Sequence, residues 1–234
     1  MKKRVIVLSL GGSLIFPDDI NFDFLQKFKK VILKHKKNHK FLIVCGGGSV
    51  ARKYISALRK EGLSEKLQNF SGISATRMNA RFMNYFFGIN PEFGIPHTKA
   101  TVEKYSKIMD VVFFGALEYK PEETSDSTAA EIATHFKTIF INLTNVPGLY
   151  SKNPLEHKDA KFIPRISWKE FMKMANSLGF KPGQHFVLDQ TAARIIMRNK
   201  IPTYILGKDL KQLEAVLTRR KFKGTLIGVE QAKS

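Results

Sequence analysis

Val5-Ile6-Val7-Leu8-Ser9-Leu10-Gly11-Gly12-Ser13 and Phe41-Leu42-Ile43-Val44-Cys45-Gly46-Gly47-Gly48-Ser49 share one plan, an apolar run that ends in a glycine turn and a serine. Both runs are rich in β-branched or aromatic residues and short enough to be buried parallel strands. After each turn the pattern becomes helix-like. Glycine at such a junction lets bare backbone approach a ligand, and the unpaired amides of a helix start offer donors and partial positive charge to an anion. Two such turns in one chain point to two phosphorylated groups held face to face.

Further strand-like runs occur at Asp110 to Phe114, Ile139 to Leu143, Thr203 to Leu206 and Thr225 to Val229. Amphipathic patterns predict helices over Asn21 to Lys37, Val50 to Lys60, Ile73 to Phe87, Asp126 to Phe136, Trp168 to Asn176 and Asp189 to Asn199. Such alternation means an α/β fold with a largely parallel sheet covered on both faces, and the site is expected in loops at the carboxyl ends of the strands. The turn-rich stretch from Pro147 to Pro164 reads as a hairpin or a loop over a ligand. With no convincing linker or repeat, the 234 residues read as a single domain.

Composition narrows the class. An apolar fraction of 43% excludes disorder. No apolar run approaches the roughly 20 residues of a membrane span. Lys2, Lys3 and Arg4 imitate the start of a secretory signal, but the apolar run after them breaks at Gly11, so a cytoplasmic protein is expected. The single cysteine, Cys45, closes a strand and reads as a small buried thiol. A net charge of +19 would attract any polyanion. Lys27, Lys29, Lys30, Lys34, Lys36 and Lys37, however, fall along the outer side of a helix whose apolar residues are Phe22, Leu25, Phe28 and Ile32. That arrangement reads as a solvated face, and with no nucleic-acid motif the chain is expected to bind none. The six histidines show no ligand spacing, which predicts no metal site beyond magnesium carried by a nucleotide.

Gly46, Gly48 and Ala51 match the GxGxxA form of the dinucleotide fingerprint, but its acidic partner about 20 residues on is missing. A P-loop would need GxxxxGK[ST], which neither turn provides. Thr124-Ser125-Asp126-Ser127-Thr128-Ala129-Ala130 and Val187-Leu188-Asp189-Gln190-Thr191-Ala192-Ala193 each open a helix, and either could be a plain N-cap cluster. Thr144-Asn145-Val146-Pro147-Gly148-Leu149-Tyr150 follows a strand.

In their order along the chain, these three segments and the two glycine turns resemble the amino acid kinase family. The likeness runs from about Val5 to Ile227. Gly46-Gly47-Gly48 with Ala51-Arg52-Lys53-Tyr54, then Gly72-Ile73, Thr76-Arg77 and Asn79-Ala80, are similar to the archaeal UMP kinase branch of that family. The resemblance implies a three-layer αβα sandwich of the carbamate kinase type, with an acceptor part over about 1–137 and an ATP part over about 138–234. It implies transfer of the γ-phosphoryl group of ATP to UMP, giving UDP and ADP in pyrimidine nucleotide synthesis, with magnesium and a homohexamer. Gly47, Asn69, Tyr119, Lys120, Pro121, Glu122, Glu123, Thr124 and Ser125 would then hold UMP, with Arg52 on its phosphate. Gly11, Gly12, Ser13, Gly48, Arg52, Thr144, Asn145, Tyr150 and Asn153 would serve ATP. Asp126, Asp189 and Arg52 would act in catalysis. Phosphoryl transfer between two anions needs charge neutralisation and in-line positioning more than covalent help, and these residue types supply it.

Several positions depart from the family pattern. Ser9 stands where members often carry a charged residue, for which Lys152 or Lys208 could compensate. Asn69 replaces a ribose-binding aspartate, which predicts weaker binding. Pro147 and Asn153 replace aspartates, and Tyr119-Lys120-Pro121-Glu122-Glu123 replaces a glycine and histidine pattern. Glu122 and Glu123 would repel a substrate phosphate unless they point away or hold a cation. A different small acceptor, or a nucleotide binder without catalysis, are the alternatives.

Overall fold

The computed structural model describes residues 3–119, 124–152, 154, 156–177 and 188–228. β1 (Arg4–Leu10) leads into α1 (Gly12–Ile15), a single turn, and then α2 (Phe22–His35). β2 (His39–Cys45) feeds α3 (Gly48–Lys60), the long α4 (Glu65–Phe86) and α5 (Lys99–Ile108) before β3 (Val111–Phe114). α6 (Ser125–His135) returns to β4 (Phe140–Leu143), followed by the short β5 (Leu149–Tyr150), β6 (Phe162–Ile163) and β7 (Arg165–Ile166). α7 (Trp168–Ser177), α8 (Gln190–Asn199), β8 (Thr203–Leu206), α9 (Leu210–Leu217) and β9 (Thr225–Ile227) complete the chain.

Alternation along the strands divides the core into two layers. Ile6, Leu8 and Leu10 of β1 join Phe28 and Ile32 of α2 and Leu213 of α9 on one face. Val7, with Leu42 and Val44 of β2, joins Ala129 and Ile132 of α6, Phe171 of α7 and Ile196 of α8 on the other. The result is the αβα sandwich expected from the sequence. Each large apolar side chain so buried contributes about 1.5–3 kcal/mol.

The main sheet has the order β3-β2-β1-β4-β8-β9-β7, and β5 pairs with β6 as a separate hairpin. That hairpin falls in the turn-rich stretch where one was expected. β8 and β9 run antiparallel, whereas the other paired strands of this sheet are parallel. From β1 the chain steps outward to β2 and β3, then crosses back to lay β4 on the other side of β1. The order therefore reverses between β1 and β4, where open α/β sheets form a crevice at their carboxyl ends. Leu10 is level with both Cys45 and Leu143, so the turns after β1, β2 and β4 open into that crevice together.

Two local expectations are corrected. Phe22 does not face the core: it is 55% exposed and meets Phe86 edge to face at 6.0 Å. Lys29 is not fully solvated, because it is half-buried, donates to the Phe86 carbonyl at 2.7 Å and lies 5.5 Å from that ring. Its stem packs while its charge finds an acceptor and an aromatic face. Cys45 is buried as expected, and burial raises its thiol pKa far above the ordinary range.

Candidate active site

The two glycine turns are packed backbone on backbone. A Cβ at Gly12 would lie 2.0 Å from the Gly48 nitrogen, and one at Gly46 would lie 2.5 Å from the Gly12 nitrogen. Gly48 has φ +65°, with its Cβ position 2.6 Å from the Gly12 carbonyl oxygen. These glycines are therefore required by contact between the turns, a reason the strand-turn pattern did not reveal. The first turn opens only a single helical turn, whereas the second opens the longer α3. Gly11 closes the other side, where its amide donates to Leu143 O at 2.9 Å and its Cβ position is 3.7 Å from Thr144 Cα.

Asn79 in α4 fixes the second turn from behind. Its buried amide donates to Gly46 O at 2.7 Å. Thr76 and Arg77 then bind the segment after β3. Thr76 Oγ1 accepts from Ala116 N at 3.0 Å, Arg77 Nε donates to Ala116 O at 3.1 Å, and Arg77 Nη2 donates to Leu117 O. Gly115 permits this approach, since its Cβ position would lie 2.5 Å from Thr76 Oγ1. Arg77 is thus a positioning residue rather than a surface cation, and desolvation lowers its pKa.

Between α3, α4 and this segment lies a cavity of about 210 Å³, whose lining includes Asn69, Tyr119, Thr124 and Ser125. Four of the residues assigned to the acceptor therefore share one cavity. Gly47 adjoins it, because its Cβ position faces Ala51 and the Gly72 carbonyl. Phe70 stacks on Tyr119 with centroids 5.0 Å apart, and Glu118 also lines the cavity. Neither Phe70 nor Glu118 was singled out from sequence. Phe70 lies between Asn69 and the Gly72-Ile73 pair and belongs to neither, and Glu118 lies just before the altered segment. Lys120, Pro121, Glu122, Glu123 and Asn153 lie outside the described residues.

Asp126 and Asp189 stand at the starts of neighbouring helices. Thr124 caps α6 in a capping box with Ser127, and Asp189 caps α8 by accepting from Ala192 N at 2.8 Å. The capping and functional readings coincide, because Thr124 Oγ1 also donates to Asp189 Oδ2 and links the two helix starts. Ser9, fully buried at the end of β1, donates to Asp126 Oδ1 at 2.6 Å. Burial first, and then the Asp189 charge, push the Asp126 carboxyl up to about 7 against the Ser9 hydrogen bond. Burial also raises Asp189, opposed by Thr124 and the helix amides. Two carboxylates held this way share negative charge poorly and favour a proton or a cation between them. A hard divalent ion bound by one or two carboxylates and by substrate phosphates suits that donor set.

On the other flank, Thr144, Asn145 and Tyr150 follow β4. Thr144 Oγ1 donates to Asn145 Oδ1 at 3.3 Å, and Tyr150 meets Phe162 edge to face at 5.3 Å. Ser13 is half-buried beside Gly12, and Arg52 is exposed on α3, outside the residues lining the acceptor-side cavity. Lys152 is engaged in an ion pair with Asp159 at 2.7 Å, so its charge is already partnered away from Ser9.

The sequence matches the model of the amino acid kinase family over residues 4–207. A uridylate kinase of Thermoplasma volcanium is 38% identical over 215 residues, covering 91% of this chain and 92% of its own. One from Methanoregula boonei is 32% identical over 234 residues, with 98% of each chain covered. The crystal structure of uridylate kinase from Archaeoglobus fulgidus is similar at a TM-score of 0.81 and 32% identity, over 95% of this chain and 99% of that one.

Proposed function

The chain belongs to the amino acid kinase family, and we propose that it transfers the γ-phosphoryl group of ATP to UMP, making UDP and ADP for pyrimidine nucleotide synthesis. The observation that carries this reading is the junction of the two glycine turns at the β1/β4 crevice, with the Asp126 and Asp189 pair beside it and a cavity that mixes apolar and polar side chains to one side. In this reading UMP occupies the cavity of Asn69, Tyr119, Thr124 and Ser125. ATP lies along Gly11, Gly12, Ser13 and the Thr144 to Tyr150 segment.

The turns supply backbone donors at fixed positions, which stabilises charge spread over phosphoryl oxygens without reorganisation during the reaction. Asp126 and Asp189 would hold magnesium arriving with ATP, and the ion would neutralise charge on the phosphates. Asp126 need not be a base, because the acceptor phosphate is ionised at neutral pH. Ser9 fixes the rotamer of Asp126 and so takes a defined role in the reading. Arg52, exposed and near Gly48, is free to swing onto a bound phosphate. The protein would work in the cytoplasm as a homo-oligomer, a hexamer by family resemblance.

The test is ADP release from ATP and magnesium with UMP, CMP, AMP or no acceptor. UMP-dependent turnover is expected, falling at least about 100-fold in Asp126→Ala, as when a preorganised charge-stabilising group is removed. Glu118 gives CMP its place in the panel: a carboxylate at the cavity accepts from an amino group and repels a carbonyl edge. Preference for CMP over UMP would change the acceptor while keeping the kinase. Silence with every acceptor would overturn the proposal.

A further inference from the structure

The amino ends of β1, β2, β4 and β8 open into a cavity of about 1240 Å³, at the end of the sheet opposite the glycine turns. Lys3, Arg4, Lys40, Lys107, Lys137 and Lys200 line it, against Glu103 as the only lining carboxylate among the described residues. Part of this charge is engaged. Lys3 pairs with Asp110 at 2.6 Å, and Lys107 and His135 contact Glu103 at 3.1 and 3.3 Å. Lys40 donates to the Ser106 carbonyl.

The carboxyl ends of α5, α6 and α8 also face this side, each worth about half a negative charge. Glu103, Asp110 and these three ends offset much of the charge that Lys3, Lys40 and Lys107 bring. Arg4 and Lys137 are exposed and form no ion pair among the described residues. Backbone conformation fixes where two of these cations stand, as it does for Arg219 after α9 outside the cavity. Lys137 and Lys200, which follow α6 and α8, both have φ 49°, a left-handed position where glycine costs least. A cation there also complements the negative end of its helix, and both lysines line the cavity.

We propose that this cavity is a second ligand site, for a chain of linked phosphates. The cations come from β1, β2, α5 and the ends of α6 and α8, so several linked phosphates can meet more of them than one can. Lysine suits it, being a mobile point charge that needs no fixed fork geometry. Free polyphosphate and the tail of a nucleoside triphosphate share this chemistry. The site is independent of which acceptor is phosphorylated at the other end of the sheet.

The protein carries its own reporter. Its single tryptophan, Trp168, donates through Nε1 to Ile201 O at 2.9 Å, and Ile201 lines the cavity. Tripolyphosphate, ATP, orthophosphate and a short single-stranded RNA would each be titrated into the full chain by calorimetry, with Trp168 fluorescence read in parallel. The same titrations on Arg4→Gln and on the Lys137→Gly/Lys200→Gly double variant isolate this cavity. Glycine relieves the left-handed positions, so loss of folding would not explain loss of binding, and thermal midpoints check this. The expected result is at least a tenfold weaker tripolyphosphate binding in both variants. If ATP binds at two sites in the wild type and at one in the variants, the source is a nucleotide; if it binds at one site in all of them, the source is free polyphosphate. Variants that bind tripolyphosphate like the wild type would overturn the proposal. Equal loss for orthophosphate, or variant-sensitive binding of RNA alone, would overturn it too.

Discussion

Ser9, Asp126, Thr124 and Asp189 join β1, α6 and α8 through hydrogen bonds that converge on two mutually repelling carboxylates. The pair makes stability depend on pH in a defined direction. Asp126 has its ordinary value of 3.8 in the unfolded chain and about 7 in the fold. Because the folded value is higher, its ionised form is the disfavoured one. Stability is complete below the unfolded value, falls as pH rises through neutrality and levels off above. Asp126→Asn keeps an acceptor for Ser9 and removes the charge. Its melting temperature is expected to match the wild type in acid and to exceed it at pH 8, and a constant gap across that range would refute the account. Arg77 invites a different experiment. Arg77→Ala leaves the Ala116 and Leu117 carbonyls without their donor, which should cost about 1–3 kcal/mol in denaturant unfolding. Acceptor KM should rise more than kcat falls, since Arg77 shapes the cavity wall without facing the crevice. The sequence exposed the carboxylates and the glycines because each sits in a local motif. It hid Ser9 as a donor, Asn79 as a brace and Arg77 as a clamp, because their partners lie far away in the chain.

Among the elements, the glycine turns are where local pattern and tertiary contact meet. Gly12→Ala would drive a methyl group to 2.0 Å from the Gly48 nitrogen, which only a backbone shift can relieve. Overpacking of this kind costs about 1–3 kcal/mol or more, and the turns would part. Gly62→Ala is the control: φ is +75° but nothing lies within 4 Å of its Cβ position, so only the left-handed strain of about 1 kcal/mol applies. Denaturant midpoints should therefore drop much further for Gly12→Ala than for Gly62→Ala, and equal drops would count against the abutting turns. The strands that reached the sequence reading are those with several consecutive apolar residues, β1 to β4, β8 and β9. β5, β6 and β7 have two residues each, too few for any period to register. α4 begins at Glu65 rather than Ile73 because its first turns expose their apolar residues, Leu67 and Phe70, and bury the polar Gln68, although the Ser64 cap marks the start. α5 offers only Val102 and Ser106 to the interior, and so lacks a stripe. α9 was signalled by the Asp209 cap and by Leu210, Leu213, Val216 and Leu217, but spans just two turns.

Over the whole molecule, a net charge of +19 has to coexist with an exposed apolar stripe. Leu67, Phe70, Met78 and Tyr85 of α4 are 50%, 43%, 59% and 53% exposed. Their spacing keeps them on one side of the helix, and Tyr54 of the adjoining α3 is 51% exposed. Scattered apolar side chains need no explanation, but an aligned set on one helix marks a surface built to be covered. A second copy of the chain is the expected cover, in line with the homo-oligomer implied by family resemblance. Like charges oppose such self-association at long range, and salt screens them within about 10 Å at 0.1 M. Sedimentation should therefore show an oligomer whose dissociation weakens as salt rises, the reverse of an interface held by ion pairs. The Leu67→Glu/Met78→Glu variant should run as a monomer with a melting temperature independent of protein concentration, whereas that of the wild type should rise with concentration. A wild-type chain that stays monomeric at every concentration and salt tried would remove α4 as an interface and leave its apolar stripe to another partner.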